Sequence, residues 1–336
     1  MLKKALKSHE FVLFLILLLV SLAIIIRNPA FFSVSTVFDI ARSSLVYCIM
    51  GFGVLLVLIS GGVDISFVAI ASMSSYTAHM LLLKLGYTGG ITFYFVVAAF
   101  LGLLAGLLNG FIISQFNLPV FHVSLGSLSL WYGFTLFFVG ATANFDLPEG
   151  LVGYYARFLI KAKDPLMGEV GLHISVIYLM VIAAFIWWLL KYTVFGRGLY
   201  AMGGNREVAI RVGFNVKIIT LIMFALVGVF AAIAGITQSG YGRYFNPVLF
   251  FGQELNVLAA VIIGGASITG GRGTVIGTIL GVVLIDVLNR SFILVGIPAQ
   301  WQRLVVGLVL IIFISIPTIR ERRAKRLGHT TELEEG

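Results

Sequence analysis

Residues 85–145 read LGYTGGITFYFVVAAFLGLLAGLLNGFIISQFNLPVFHVSLGSLSLWYGFTLFFVGATANF, a run without one Asp, Glu, Lys or Arg. A membrane-crossing helix needs about 20 mostly apolar residues, because the hydrocarbon core is about 30 Å thick and a helix rises about 1.5 Å per residue. This stretch is long enough for two crossings. Working outward, further charge-free stretches run 11–26, 43–63, 65–83, 170–190, 218–242, 255–271, 273–285 and 304–319. They predict an all-α polytopic membrane protein of about ten transmembrane helices. Composition agrees: 60% of the 336 residues are hydrophobic and 11% charged, and the mean hydropathy is +1.06, against roughly 45–50% apolar and 25% charged in soluble domains. The eighth and ninth spans, near 254–268 and 274–290, carry Gly264-Gly265 and Gly270-Gly271, a pattern expected of broken or re-entrant helices. The opening MLKKALKSHE resembles the start of a signal peptide, but no small-residue cleavage site follows and Arg27-Asn28-Pro29 ends the run, so 11–26 reads as the first span.

Direction follows from the positive residues, which are retained on the cytoplasmic side. Thirteen of the 23 Lys and Arg fall in three places: Lys3, Lys4 and Lys7; the loop 191–217 with Lys191, Arg197, Arg206, Arg211 and Lys217; and the tail with Arg320, Arg322, Arg323, Lys325 and Arg326. Ten spans put all three on one side, so both termini are expected in the cytoplasm. The segment 140–170 mixes Asp146, Glu149, Asp164 and Glu169 with Arg157, Lys161 and Lys163, as suits the outer face. Residues 1–320 then form one transmembrane domain and 321–336 a charged tail. The net charge of +9 is a retention signal and calls for no nucleic acid. The lone Cys48 excludes a disulfide framework and a cysteine metal site.

Glycine supplies 38 residues, above the usual ~7%. In lipid, small residues at G-x-x-x-G spacing let backbones approach, so they mark helix contact faces. Gly102, Gly106 and Gly110 line one face of the fourth span; Gly273, Gly277 and Gly281 line one face of the ninth. Five spans separate them, which suggests two inverted five-helix halves. A rival echo, Ile59-Ser60-Gly61-Gly62 against Ile262-Ile263-Gly264-Gly265, implies a six-span shift instead.

Several chemistries are missing from the sequence. No Lys follows a Gly, so no G-x-x-x-x-G-K-[ST] phosphate loop is present and the chain has no evident means of hydrolysing ATP. No Ser has Gly at both −2 and +2, and the five His form no H-E-x-x-H pair. An enzyme is not indicated. His79 and His122 lie within spans, where hydrogen bonding to a neighbouring helix is the simplest role. Acids at membrane depth are expensive and mark function or a paired interior site. Asp64 follows Gly61-Gly62 at the end of the second span. Asp286 lies inside the ninth with Arg290 at i+4, a spacing that favours a structural pair.

The segment Thr193-Val194-Phe195-Gly196-Arg197 through Gly203-Gly204-Asn205-Arg206-Glu207-Val208-Ala209-Ile210-Arg211-Val212-Gly213 is basic and has its own local signals. Gly203-Gly204-Asn205 reads as a turn whose Asn N-caps a two-turn helix over 206–212, which Gly213 terminates. Val208, Ala209 and Val212 beside Arg206 and Arg211 give it an apolar face fit for a groove on another protein.

Here the sequence resembles the membrane permease subunits of bacterial ABC importers of the ribose, xylose and autoinducer-2 type. The resemblance covers nearly the whole chain and rests on Leu58-Ile59-Ser60-Gly61-Gly62-Val63-Asp64-Ile65-Ser66, Leu118-Pro119-Val120-Phe121 with Ser124-Leu125-Gly126, Phe195-Gly196-Arg197 through Gly203-Gly204-Asn205, and Glu254-Leu255-Asn256 through Gly264-Gly265 and Gly270-Gly271. It implies that 203–213 is a coupling segment seated in a cleft of an ATP-binding subunit, with Gly203, Gly204, Asn205, Arg206, Glu207, Arg211 and Gly213 as the coupling residues. It further implies a second permease subunit, identical or not, a periplasmic or extracellular solute-binding protein, and a small polyhydroxylated solute crossing the inner membrane. This chain itself binds no cofactor, and ATP is used by the partner ATPase. Asp64, Asn109, Asn117, Phe121 and Asn256 are the groups expected along the path. The chain departs from the family pattern at Phe67-Val68, where Val-Gly is usual, at Asn256, where Asp is usual, and near Tyr132, where an Arg is common, so no particular sugar transfers to it. The alternative is an ion-coupled secondary transporter using Asp64 or Asp286, and a third reading is a scaffold in the bilayer with no solute.

Overall fold

The computed structural model describes residues 9–164 and 168–294 and the helical positions 301, 304, 307, 308 and 311. Its helices are α1 (His9–Arg27), α2 (Val34–Ile59), α3 (Phe67–Lys84), α4 (Ile91–Phe116), α5 (Val120–Phe134), α6 (Val176–Tyr192), α7 (Val194–Gly204), α8 (Arg206–Arg211), α9 (Val216–Gly242), α10 (Glu254–Ile263) and α11 (Val275–Leu294). Five described helices are long and apolar enough to cross a membrane, or six if α6 and α7, bent by 71°, count as one span. The protein is mainly helical and multi-pass. The expected basic N-terminus and tail lie outside the described residues, and of the stretch 304–319 expected to form the tenth span only positions 304, 307, 308 and 311 are described.

The core is built around α2 and α9. In α2 almost every side chain from Leu45 to Ile59 is buried, whereas α1 keeps Phe14, Leu15, Leu18, Leu19 and Leu22 exposed, as a helix turned to hydrocarbon can. The helix α2 starts well before the charge boundary at 43. Ser33 caps it by accepting the Thr36 N–H, and the charges it takes in are partnered: Arg290 lies 3.8 Å from Asp39, and the Arg42 guanidinium sits 4.4 Å from the Tyr241 ring centre. Paired charges near a helix end cost little, so this helix begins earlier than the charge boundary suggested.

Two further expectations need correction. The chain is not wholly α: β1 (Phe158–Asp164) pairs antiparallel with β2 (Gly168–His173), within the segment read as an outer loop. The break near the eighth span also falls elsewhere. The irregular stretch is 243–253, before α10, and it enters the helix core, where buried Phe250 donates its N–H to Ser72 Oγ of α3 at 3.2 Å. Irregular backbone survives there because protein, not lipid, surrounds it. Gly264-Gly265 and Gly270-Gly271 instead shape the turn between α10 and α11, with φ of 96, 92 and 74° at Gly265, Gly270 and Gly271.

Glycine sets the closest approaches. A Cβ on Gly102 or Gly106 would fall under 3.0 Å from the carbonyl of Gly228 or Phe224 on α9, and one on Gly228 would strike Gly102; Gly110 faces Leu221 and Phe224. In α11, Gly277 and Gly281 meet Gly264 and Ala260 of α10. Gly273 does not share that face: it precedes α11 and packs on Leu55 and Ile59 of α2.

Candidate translocation and coupling site

At one end of the helices, α6 turns sharply into α7. Thr193 caps α7 by accepting the Gly196 N–H at 3.1 Å. Gly203 and Gly204 are not the expected turn but the last residues of α7. Three backbones meet there: a Cβ on Gly203 would lie under 3.0 Å from Ile59 O and Gly271 N, and one on Gly270 would do the same to Gly203 and Gly61. The Gly271 N–H donates to Ile59 O at 2.9 Å, and the Tyr200 hydroxyl to Gly273 O at 2.8 Å. The arm is thus locked to the ends of α2 and of the α10–α11 turn. Gly204 faces open space.

Asn205 caps α8, its Oδ1 accepting from Glu207 and Val208 N–H at 3.0 and 3.1 Å. Gly213, at φ 97°, ends it, and Phe214 N–H closes back on Ala209 O. The apolar face expected of this helix is split. Ala209 is buried against the protein, while Val208, Ile210 and Val212 are 51, 54 and 72% exposed, beside exposed Glu207 and Arg211. Arg206 donates to Asn117 Oδ1 at 3.0 Å, and Asn117 adopts φ 52° at the end of α4. Gly61-Gly62, Phe121, Gly203, Arg206 and Thr269 lie around a cleft of about 630 Å³, a size suited to small-molecule passage.

The other path residues divide into two groups. Asp64 and Asn109 are buried together, in a chain that sequence reasoning left incomplete. Asp64 Oδ1 accepts from the Ser66 N–H at 2.7 Å and from its hydroxyl at 2.6 Å; Asn109 donates to Ser66 Oγ at 3.0 Å; and Ser127 donates to Asn109 Oδ1 at 2.5 Å. This chain ties the α2–α3 turn to α4 and α5. Asn256 is elsewhere. It donates to Gln253 at 2.8 Å and lines, with Tyr47, Asp286 and Asn289, a water-sized cavity of about 20 Å³. Asp286 is engaged by the hydroxyls of Ser43 and Ser44, with Arg290 Nε 3.8 Å away. The i+4 pair therefore forms, and two serines from α2 join it. Nothing in the sequence spacing linked Ser66 with Ser127, or Ser43 with Asp286, since each pair joins different helices.

His79 donates its Nε2–H to Asn144 Oδ1, 2.9 Å away, and stacks on Phe245. At the hairpin, His173 Nε2 lies 2.7 Å from Tyr154 O, and its Nδ1 accepts the Ser175 N–H at 3.1 Å. A carbonyl only accepts and a backbone N–H only donates, so the imidazole is neutral with its proton on Nε2. Its burial pushes its pKa below the usual 6.5, the Tyr154 carbonyl opposes that, and Arg42 and Arg157 add to it. No group of three or more metal-binding side chains occurs among the described residues.

The family model for the branched-chain amino acid transport system / permease component matches residues 36–314. The galactose/methyl galactoside import permease protein of Escherichia coli is 31% identical over 323 residues, 92% of this chain and 94% of its own length. The autoinducer 2 import system permease protein of the same species is 31% identical over 84% of this chain and 78% of its own. Its ribose import permease protein is 29% identical over 90% and 92%. No solved structure matches the chain at a significant level. A match over most of the chain, on a helical fold joined at glycine faces with a capped arm at one end, makes this protein a member of the branched-chain amino acid transport system permease family.

Proposed function

We propose that the chain is the membrane permease subunit of an ATP-driven importer, carrying a sugar or similar small polyhydroxylated solute across the inner membrane. The observation that carries this most directly is near-full-length similarity to import permeases for galactose, autoinducer 2 and ribose, joined to a short capped helix that displays Val208, Ile210 and Val212. In this reading α8 docks in an ATPase cleft, and α7, held at Gly203, passes its displacement to the ends of α2 and α10. The 630 Å³ cleft is the cytoplasmic mouth of the path, with Phe121 on its wall. Asp64 and Asn109 hold the helices that frame the path, and Asn256 with Gln253 offers weak hydrogen bonds deeper in.

Ten spans with both termini inside rest on the charge pattern, which puts the basic clusters at 3–7, 191–217 and 320–326 on one side. Two inverted halves are supported by an exchange of partners: α4 packs on α9 and α11 on α2, while α3 packs on α4 and α10 on α11. An ion-coupled carrier would need an acid free to titrate at Asp64 or Asp286; Asp286 is engaged by two serines and Arg290, and Asp64 Oδ1 accepts from the Ser66 N–H and hydroxyl.

The test is extraction in mild detergent with identification of the soluble chains that accompany the permease. A copurifying ATPase, together with uptake in liposomes that needs ATP and persists when ion gradients are collapsed, is the expected result. Ion-driven uptake by this chain alone would overturn the proposal.

A further inference from the structure

Away from the cleft, a second groove of about 340 Å³ opens where α6 bends into α7, lined by Glu10, Trp187, Leu190, Lys191, Tyr200 and residues 274–276. Its floor is apolar. Its two charges have opposite signs but form no ion pair within 4.0 Å, the pairs among the described residues being Lys161–Glu169, Arg290–Asp39 and Arg290–Asp286. Each is held by something else. The Lys191 ammonium lies 5.0 Å from the Trp187 ring centre and 5.4 Å from that of Tyr192, while one Glu10 oxygen accepts the Thr274 hydroxyl at 3.1 Å. Cation–π contact leaves the N–H donors of Lys191 free, and the second Glu10 oxygen remains an acceptor.

The groove lies at the membrane boundary, because the apolar run of α6 ends at Lys191 and α7 turns away by 71°. Trp187 and Tyr192 are 46 and 54% exposed there, and Trp and Tyr with a neighbouring Lys are the side chains that settle at headgroup level. A site with a cation and an anion held apart above an apolar floor fits a zwitterion that carries hydrocarbon. A purely anionic headgroup would leave Glu10 opposed, and a choline headgroup has no N–H to give it.

We infer that this groove binds one phosphatidylethanolamine molecule, its phosphate on Lys191, its ammonium on Glu10 and an acyl chain along Leu190, Val275 and Ile276. The lipid would bridge the start of α1 and the α6–α7 bend, and so brace the arm that carries α8. The inference needs only the membrane-spanning fold and stands apart from the transport reading.

The test is native mass spectrometry of the full chain, delipidated and then mixed with equal amounts of phosphatidylethanolamine, phosphatidylglycerol and phosphatidylcholine of matched chains. The wild type should retain one phosphatidylethanolamine with at least fivefold preference over each of the others. Lys191→Gln should lower that retention fivefold or more. Glu10→Gln should remove the discrimination against phosphatidylglycerol while keeping the site occupied. Both substitutions are conservative and at a groove surface, and matched elution profiles on size exclusion would show that the variants fold. Equal retention of all three lipids by the wild type, a wild-type preference for phosphatidylglycerol, or variants that bind like the wild type would each overturn the assignment.

Discussion

Gly203 and Gly204 are neighbours in sequence, yet one added methyl should act differently at each. At Gly203 it would press on Ile59 O and Gly271 N, both backbone atoms that cannot swing aside; at Gly204 it meets open space. Gly203→Ala should therefore cost about 1–3 kcal/mol, the usual range for overpacking, and Gly204→Ala close to nothing. Thermal melting followed by size exclusion separates them, and equal midpoints would contradict the packing described here. His173 makes a second residue-scale prediction. Its folded pKa is depressed, so the unfolded chain binds the proton more readily. The stability it contributes is complete above about pH 6.5 and is lost as pH falls toward the folded value. Melting temperature should drop on acidification below that point, and His173→Gln, which cannot titrate, should flatten that part of the profile.

At the scale of elements, α8 is only six residues long and depends on its ends. Asn205→Ala removes the acceptor for two N–H groups, a loss of about 1 kcal/mol of local helix stability, without touching the core. The outward side chains serve no internal packing, so Val208→Asp with Val212→Asp should leave melting unchanged while reducing ATP-driven uptake at least tenfold and releasing the ATPase on size exclusion. Unimpaired uptake would show that α8 is a solvated connection and nothing more. Gly204→Asp with Arg206→Glu should uncouple in the same way, with the added loss of the Arg206–Asn117 bond. The sequence made the caps of α8 legible because capping is local: Asn205 and Gly213 act within four residues. It misjudged one member of the apolar face, since Ala209 is buried while Val208 and Val212 stay exposed, and only the tertiary fold decides which side of so short a helix is covered.

For the whole molecule, the seam between α4 and α9 is the decisive contact. Gly228→Val should abolish recovery of a monodisperse protein, since the side chain would enter the backbone of Gly102 and Gly106, whereas Gly126→Ala, with nothing within 4 Å, should behave as wild type. Fluorescence-detected size exclusion would read both. The repeated Ile-x-Gly-Gly signal also finds its reason at this scale. Gly61 and Gly265 each end a helix at positive φ, with Gly62 N–H bonded to Val57 O and Ala266 N–H to Val261 O. The two helices carry the same Schellman cap, but the caps pair Gly61 with Gly265 whereas the echo pairs Gly61 with Gly264, so the likeness comes from two similar helix ends and not from a residue-for-residue repeat.

The sequence by itself determined the membrane solvent, the apolar helices that cross it, the glycine face of α4 and the caps of α8, because hydrocarbon thickness, close backbone approach and terminal hydrogen bonding are each read within one helix. The tertiary structure alone decided which helix each face meets, that 243–253 enters the core, and that Asp64 shares hydrogen bonds with Ser66, Asn109 and Ser127 while Asn256 sits with Asp286. A buried polar group takes the partner that folding brings within about 3 Å, and the identity of that partner is written in the arrangement of helices that lie far apart along the chain.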